Sequence, residues 1–413
     1  MEFNDFKIER EEDLLRLIAS LDITKTLYDN AVDKYTALAA YLNSQDGISA
    51  DIYPQGSFAL RTVVKSIFKN KNADYDLDFV CQVSATRNDI GPMELRKRII
   101  KALEDNKVYK DRLKPDETCL TIDYADVGDS GFSIDIVPAA EESEERKAKL
   151  KIAAERPDLV DSSIVIPKKD DKTAQLLWIT SNPKGYVEWF NDINGRFSEF
   201  SSSFYHGLLE KRVFEQKAEV EDVPELTGRT SLQVVIQILK FHRDVYFTNL
   251  NKQFEAEKYP KPISAIINTL VAKIAIGVNP KSDIFTLLEY VLNELAIYSV
   301  QQTQFYEDFI KNNSGKDLIE HTSTRWIIKN PSNPEDNLAD TWTNDTAKMF
   351  FKWTIIAKRD LIDSLSEKND GTFRAIAENA FTSDLVKSVW GEKYIPQQMK
   401  KPTIIQPTKP WLR

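Results

Sequence analysis

Several things are scarce in this chain, and each scarcity narrows what it can be. There are two cysteines in 413 residues, Cys81 and Cys119. Both sit in apolar, strand-like runs, which points to buried free thiols and away from a disulfide framework or a zinc site. The three histidines, His206, His242 and His321, show no ligand spacing. Glycine is low, at 13 residues, and no repeat or low-complexity linker interrupts the chain. No apolar run reaches the roughly 18 residues that a membrane span needs. The first residues, Met1 to Asp5, lack a basic stretch followed by a hydrophobic one, so a cytoplasmic protein is expected. Positive charge is also in deficit: the formal net charge is −9. That argues against a broad basic surface for nucleic acid, where binding depends on neutralising many phosphates. A small anionic substrate needs only a few local cations and a metal, so nucleotides are not excluded.

The composition is that of a globular protein, 42% hydrophobic and 29% charged, and the length favours two packed domains. Residues 9–43 carry apolar positions at three- and four-residue spacing, predicting one long helix or two joined near Asp22 to Thr24. A short strand over 48–53, a strand through 73–80, a helix over 92–106 and a hairpin of strands over 119–124 and 132–137 make a mixed α/β lobe. Two further short strands are expected around Ile164 to Pro167 and Leu176 to Ile179, joined by a polar turn at Lys168 to Lys172. Beyond Asn182 the pattern is helical: 203–219, 230–247, 262–277, 282–312 and 338–367, with Glu335 to Leu338 starting the last of these. The expected organisation is α+β and bilobal: a core lobe over 1–180 that includes the N-terminal helix, a helical lobe over 181–395, and an extended proline-bearing tail over 396–413.

The chemistry concentrates in Asp74-Tyr75-Asp76-Leu77-Asp78. On a strand, alternate residues share a face, so the aspartates lie on one side and Tyr75, Leu77 and Phe79 on the other. Aspartates are poor strand formers and repel one another, so a row of them calls for a cation. Asp74, at the strand's entry, reads as a solvated or capping carboxylate. Asp76 and Asp78 can face one metal pair, and Asp135 completes the site if its strand lies beside theirs. Hard oxygen donors of this kind suit Mg²⁺. Upstream, Gln55-Gly56-Ser57 before a helix offers close backbone approach, a hydroxyl and helix N–H groups for a phosphate. Nucleotidyl transfer needs this combination, an in-line attack on an α-phosphate with divalent metals at both oxygens.

The ordered set Pro54-Gln55-Gly56-Ser57-Phe58, Asp76-Leu77-Asp78 and Asp135-Ile136-Val137-Pro138 resembles the polymerase β-like nucleotidyltransferases, and among them the bacterial cGAS/DncV-like enzymes (CD-NTases) that make cyclic oligonucleotide signals in anti-phage (CBASS-type) defence. Asn182-Pro183-Lys184-Gly185-Tyr186, Leu239-Lys240-Phe241-His242-Arg243-Asp244 and the stretch from Asn330 to Trp342 are similar to that family's second lobe. The resemblance implies an enzyme with two Mg²⁺ ions, or Mn²⁺ in their place. They would be held by Asp76, Asp78 and Asp135, with Asp135 activating the attacking ribose hydroxyl. It further implies Gln55, Gly56 and Ser57 at the triphosphate, Lys240 reaching it from the second lobe, ATP and GTP as substrates, and a regulatory protein acting through the C-terminal tail. Two alternatives stay open: a linear oligonucleotide synthase or RNA- or protein-modifying transferase on the same core, and a non-catalytic nucleotide sensor. Outside this set, Arg243 and Asp244 read as surface charges, Lys168 and Lys169 as a solvated turn, His242 as structural, and Trp178, Tyr186, Trp189 and Phe190 as core aromatics.

Overall fold

In the computed structural model, residues 3–23, 25–67, 75–116, 118–127, 130–170, 172–197, 229–254 and 259–395 are described. Thr24, Asp74, the expected helix over 203–219 and the tail over 396–413 lie outside these residues. The sheet is built from β1 (Ala50–Pro54), β2 (Tyr75–Thr86), β3 (Leu113–Pro115), β4 (Leu120–Val127), β5 (Ser130–Glu141), β6 (Ile164–Lys169) and β7 (Leu176–Ser181). Its order is β1-β2-β5-β4-β3, with β6 pairing the end of β5 and β7 pairing β6. Only β2 and β5 run parallel; the other pairs are antiparallel, including the expected β4/β5 and β6/β7 hairpins.

Strand alternation gives the sheet two different faces. Leu77, Phe79 and Cys81 of β2 and Ile134 and Ile136 of β5 face a core shared with Ala31, Leu38 and Leu42 and with Leu95, Ile99 and Leu103. These residues come from helices α2 (Lys25–Asn43) and α4 (Pro92–Glu104), whose one-sided apolar pattern is why they lie flat on the sheet. Asp78 and Asp135 belong to the opposite face.

The segment expected as one long helix or two is two: α1 (Phe3–Ala19) precedes α2. Helix α1 does not pack with the sheet, although the division at residue 180 groups it there. Leu14, Leu17, Ile18 and Leu21 join the helical core instead. Arg10 is buried, donates to Asp370 at 2.6 Å, and lies 4.1 and 4.2 Å from the ring centres of Phe373 and Tyr394. Trp390 Nε1 donates to the Asp13 carbonyl at 3.0 Å, tying the first helix to the last. Amphipathicity says that one face of α1 is covered but not by what.

Between β1 and β2 stands the four-residue helix α3 (Gly56–Ala59), and after β5 comes α5 (Glu144–Ala153). The helical lobe follows: α6 (Pro183–Asn194), α7 (Ser231–Gln253), α8 (Ser264–Ala275), α9 (Ile284–Tyr298), α10 (Asn344–Leu361), α11 (Asp370–Phe381) and α12 (Ser383–Trp390). Helix α7 is its axis, with residues on every side buried. The stretch Glu335 to Leu338 does not start a helix. Asn333–Asn337 is a strand paired with Lys329–Asn330, and the Asn337 amide accepts from Ile328 N and donates to Trp326 O, both at 2.9 Å. Those bonds satisfy the backbone in an extended form, and α10 begins later, capped by Thr343. Among the described residues no helix is long and apolar enough to cross a membrane.

Candidate active site

The turn after β1 is held against the aspartate strand. Gln55 N donates to the Asp78 carbonyl at 2.8 Å, and Gly56 follows with a φ of +62°. A Cβ on Gly56 would fall 2.7 Å from Asp78 Oδ2, so both the backbone conformation and the space demand glycine. Ser57 then faces the same cleft. The helix expected to offer its N-terminus to an anion is α3, only four residues long; Leu60 caps it and Arg61 follows at φ +58°. One turn carries little macrodipole, so the turn's contribution is proximity of backbone and hydroxyl to Asp78 rather than a helix field.

Asp78 and Asp135 are register partners across the parallel β2/β5 pair. Adjacent strands lie about 4.8 Å apart, so these two carboxylates project side by side. Asp76 occupies the β2 position opposite Ser133; its side chain is outside the described set. Among the described residues no group of three His, Cys, Asp or Glu gathers as a metal cluster. Thr121 on β4, the register partner of Asp135, donates its hydroxyl to Asp135 Oδ1 at 2.6 Å. This residue escaped the sequence reading. Its signal was present, since Thr121 sits in the strand antiparallel to the Asp135 strand, but the register could not be read. Cys119 Sγ lies 3.9 Å from the Thr121 hydroxyl. Burial first, then the negative charge of Asp135, pushes its thiol up to about 11, so it stays protonated beside the acidic pair.

Opposite the sheet, α7 and α8 close a cleft of about 920 Å³. Lys240 lines it, 4% exposed, with Nζ donating to the Thr62 carbonyl at 2.8 Å. Burial, reinforced by Arg243, lowers its pKa to about 7 against the opposing pull of Asp244 and Asp78. The same helix face carries two more contacts to the segment after the Gly-Ser turn. Gln233 donates to Leu60 O at 3.0 Å, and Gln237 to Val63 O at 2.6 Å and Asp22 at 2.9 Å. Neither glutamine was singled out from sequence, yet polar residues at 233, 237 and 240 on an otherwise apolar helix form an i, i+4, i+7 stripe that could have revealed them.

Two surface assignments need correction. Arg243 is buried: it donates to Pro262 O at 2.9 Å and Ser264 Oγ at 3.2 Å, and with Asp244 it lines the cleft. Lys168 is exposed as expected but belongs to β6 and also lines the cleft. His242 is structural, accepting from Trp353 Nε1 at 3.0 Å and bonded to Asp360 at 3.2 Å. Trp189 and Phe190 lie in the helical core and Trp178 packs against the sheet core, whereas Tyr186 reaches the cleft wall.

A glycine turn bonded to the Asp78 backbone beside its carboxylate, a second carboxylate on the neighbouring parallel strand and buried cations across the cleft are the arrangement of a nucleotidyltransferase. Residues 50–138 match the family model of the cyclic GMP-AMP synthase DncV-like nucleotidyltransferase domain. The chain is 25% identical over 342 residues to a c-di-GMP synthase of Roseivirga ehrenbergii, covering 82% of this chain and 74% of the relative. Its fold is similar to that of the Bradyrhizobium diazoefficiens CD-NTase CdnG in complex with GTP, with a TM-score of 0.64, 19% identity, and 92% and 98% of the two chains covered. It is also similar to E. coli MS115-1 CdnC with ATP, with a TM-score of 0.55, 16% identity, and 91% and 98% covered.

Proposed function

We propose that this enzyme joins nucleoside triphosphates into a cyclic di- or trinucleotide second messenger, working in the cytoplasm in anti-phage signalling. The observation that carries the reading is the register pairing of Asp78 with Asp135 beneath Gly56, inside the segment that matches the family model. Enzymes of this family generally use divalent metals. The donor chemistry fits: Asp78 and Asp135 present hard carboxylate oxygens side by side, and Gly56 leaves the space against Asp78 unfilled. Asp76, Asp78 and Asp135 would hold two Mg²⁺ ions, with Mn²⁺ as the alternative. A metal bound there would supply Lewis-acid stabilisation of the charge that develops at the α-phosphate.

The protein's own groups do the rest. Gln55, Gly56 and Ser57 receive the triphosphate, Ser57 by its hydroxyl. Lys240 turns from the Thr62 carbonyl to the phosphates, an exchange that keeps a donor on an oxygen throughout. Asp135, oriented by Thr121, accepts the proton of the attacking ribose hydroxyl. The hydroxyl oxygen bonds to the α-phosphorus and pyrophosphate leaves; repetition on the linear product closes the ring. ATP and GTP are the proposed substrates, supported by a c-di-GMP synthase relative and by folds solved with GTP and ATP. A regulator acting on the tail over 396–413 is proposed from the same kinship, since the similar fold of CdnC was solved with a HORMA protein.

The test is incubation with all four labelled NTPs and Mg²⁺, alone and with candidate activators, followed by phosphatase treatment and mass spectrometry. A phosphatase-resistant cyclic product is expected. A product with a free 3′ end, or none, overturns the cyclase reading.

A further inference from the structure

Among the described residues, the helical wall of the cleft holds one buried side-chain polar atom without a partner. Asn268 on α8 lines the cleft and is 5% exposed, and its amide oxygen is buried with no hydrogen-bond donor. Its neighbours are satisfied. The Tyr186 hydroxyl bonds Thr269 Oγ1 at 2.8 Å, and Ser264 Oγ accepts from Arg243 at 3.2 Å. A buried amide oxygen left unpaired is costly, and folded proteins rarely leave one so without a use. Ser264, Ala265 and Asn268 share one face of α8, and all line the cleft across from the Gly56 turn and Asp78.

We infer that Asn268 reads the base of the bound nucleotide, its oxygen accepting an N–H from the Watson–Crick edge of a purine. This rests on the proposed use of ATP and GTP. An amide offers an acceptor beside a donor, and both purines present the complement: guanine through N1–H and O6, adenine through N6–H and N1. The terminal amide torsion is soft, so the oxygen turns toward the ligand without disturbing α8. Asn268 thereby sets base selectivity, whereas Ser57 and Lys240 bind the phosphates common to every nucleotide.

Calorimetry with three probes separates these roles: nonhydrolysable GTP and ATP analogues and inorganic tripolyphosphate, each with Mg²⁺. In Asn268→Leu, which keeps the branched shape and removes the amide, at least one purine analogue is expected to bind about tenfold to a hundredfold more weakly while tripolyphosphate is unchanged. Asn268→Ser, which retains a hydroxyl, should fall between wild type and Leu, and a melting curve reports whether each variant is folded. Unchanged affinity for both analogues, or an equal loss for all three probes, overturns the inference, the second because it marks a merely structural residue. Wild-type protein that binds no nucleotide overturns the functional reading itself and removes the basis for this one. Wild type that binds nucleotides equally to the variants defeats only the role of Asn268.

Discussion

The two walls of the cleft acquire their chemistry in opposite ways. On the sheet side, Asp78 and Asp135 are partly buried and project from strands whose other faces are fully buried, with Thr121 donating to Asp135. On the helical side, Lys240 and Arg243 are almost wholly buried, and each is held by backbone carbonyls of another segment. A carboxylate row awaits a cation; a buried ammonium is desolvated and ready to give up its proton or accept an anionic partner. In the proposed function the sheet wall carries the chemistry and the helical wall selection and binding.

The comparison breaks most sharply at Asp78. Asp78→Asn should lower product formation by about a thousandfold, with little change in melting temperature, as read by product assay beside a thermal scan. Gly56→Ala tests the same wall through sterics. A Cβ there meets Asp78 Oδ2 at 2.7 Å on a backbone with φ +62°, so a loss of about 1–2 kcal/mol in stability is expected from the left-handed conformation, together with about a hundredfold loss of activity from the displaced carboxylate.

On the other wall, Lys240→Met should raise KM about tenfold and affect kcat less, because the lost charge acts in binding. Lys240 also predicts a pH dependence. Its folded pKa, about 7, lies below the unfolded lysine value, so between the two the unfolded chain binds more protons. Stability therefore rises as pH increases from near 7 toward the unfolded value. Nucleotide affinity runs the other way, weakening above neutrality as the ammonium is lost. Lys240's share of both slopes should be lost in Lys240→Met, as measured by denaturant melts and nucleotide titrations across that range. The smallest effect is expected for Thr121→Val, which removes the hydroxyl at Asp135 but not the carboxylate: a loss of about 1 kcal/mol, roughly fivefold in kcat, with KM unchanged.

Much of the sheet wall was legible because a strand's period of two is local. Alternation alone placed Asp78 opposite Leu77 and Phe79, and the apolar run around Asp135 marked a second strand. The need for glycine at 56 could be suspected, but its cause, contact with Asp78, joins residues 22 apart. The helical wall was less legible. Lys240 stood out as a lone cation on an apolar helix, yet its partner Thr62 lies 178 residues away. Arg243 was taken for a surface charge because a helix buried on all sides cannot be told from an amphipathic one by a single charged residue. The acidic stretch Glu335 to Asn337 imitates a helix start, but pairing with Lys329–Asn330 and the side-chain bonds of Asn337 hold it extended. The unpaired oxygen of Asn268 has no sequence signature at all.

The sequence by itself determined which residues could do the chemistry and which strand faces would carry them, because side-chain type and strand alternation are properties of neighbouring residues. Tertiary structure alone decided the parallel register that sets Asp78 beside Asp135, the packing of α1 into the helical lobe and the burial that lowers the Lys240 pKa. Each depends on segments far apart in the chain, whose meeting is governed by complementary surfaces rather than by local pattern.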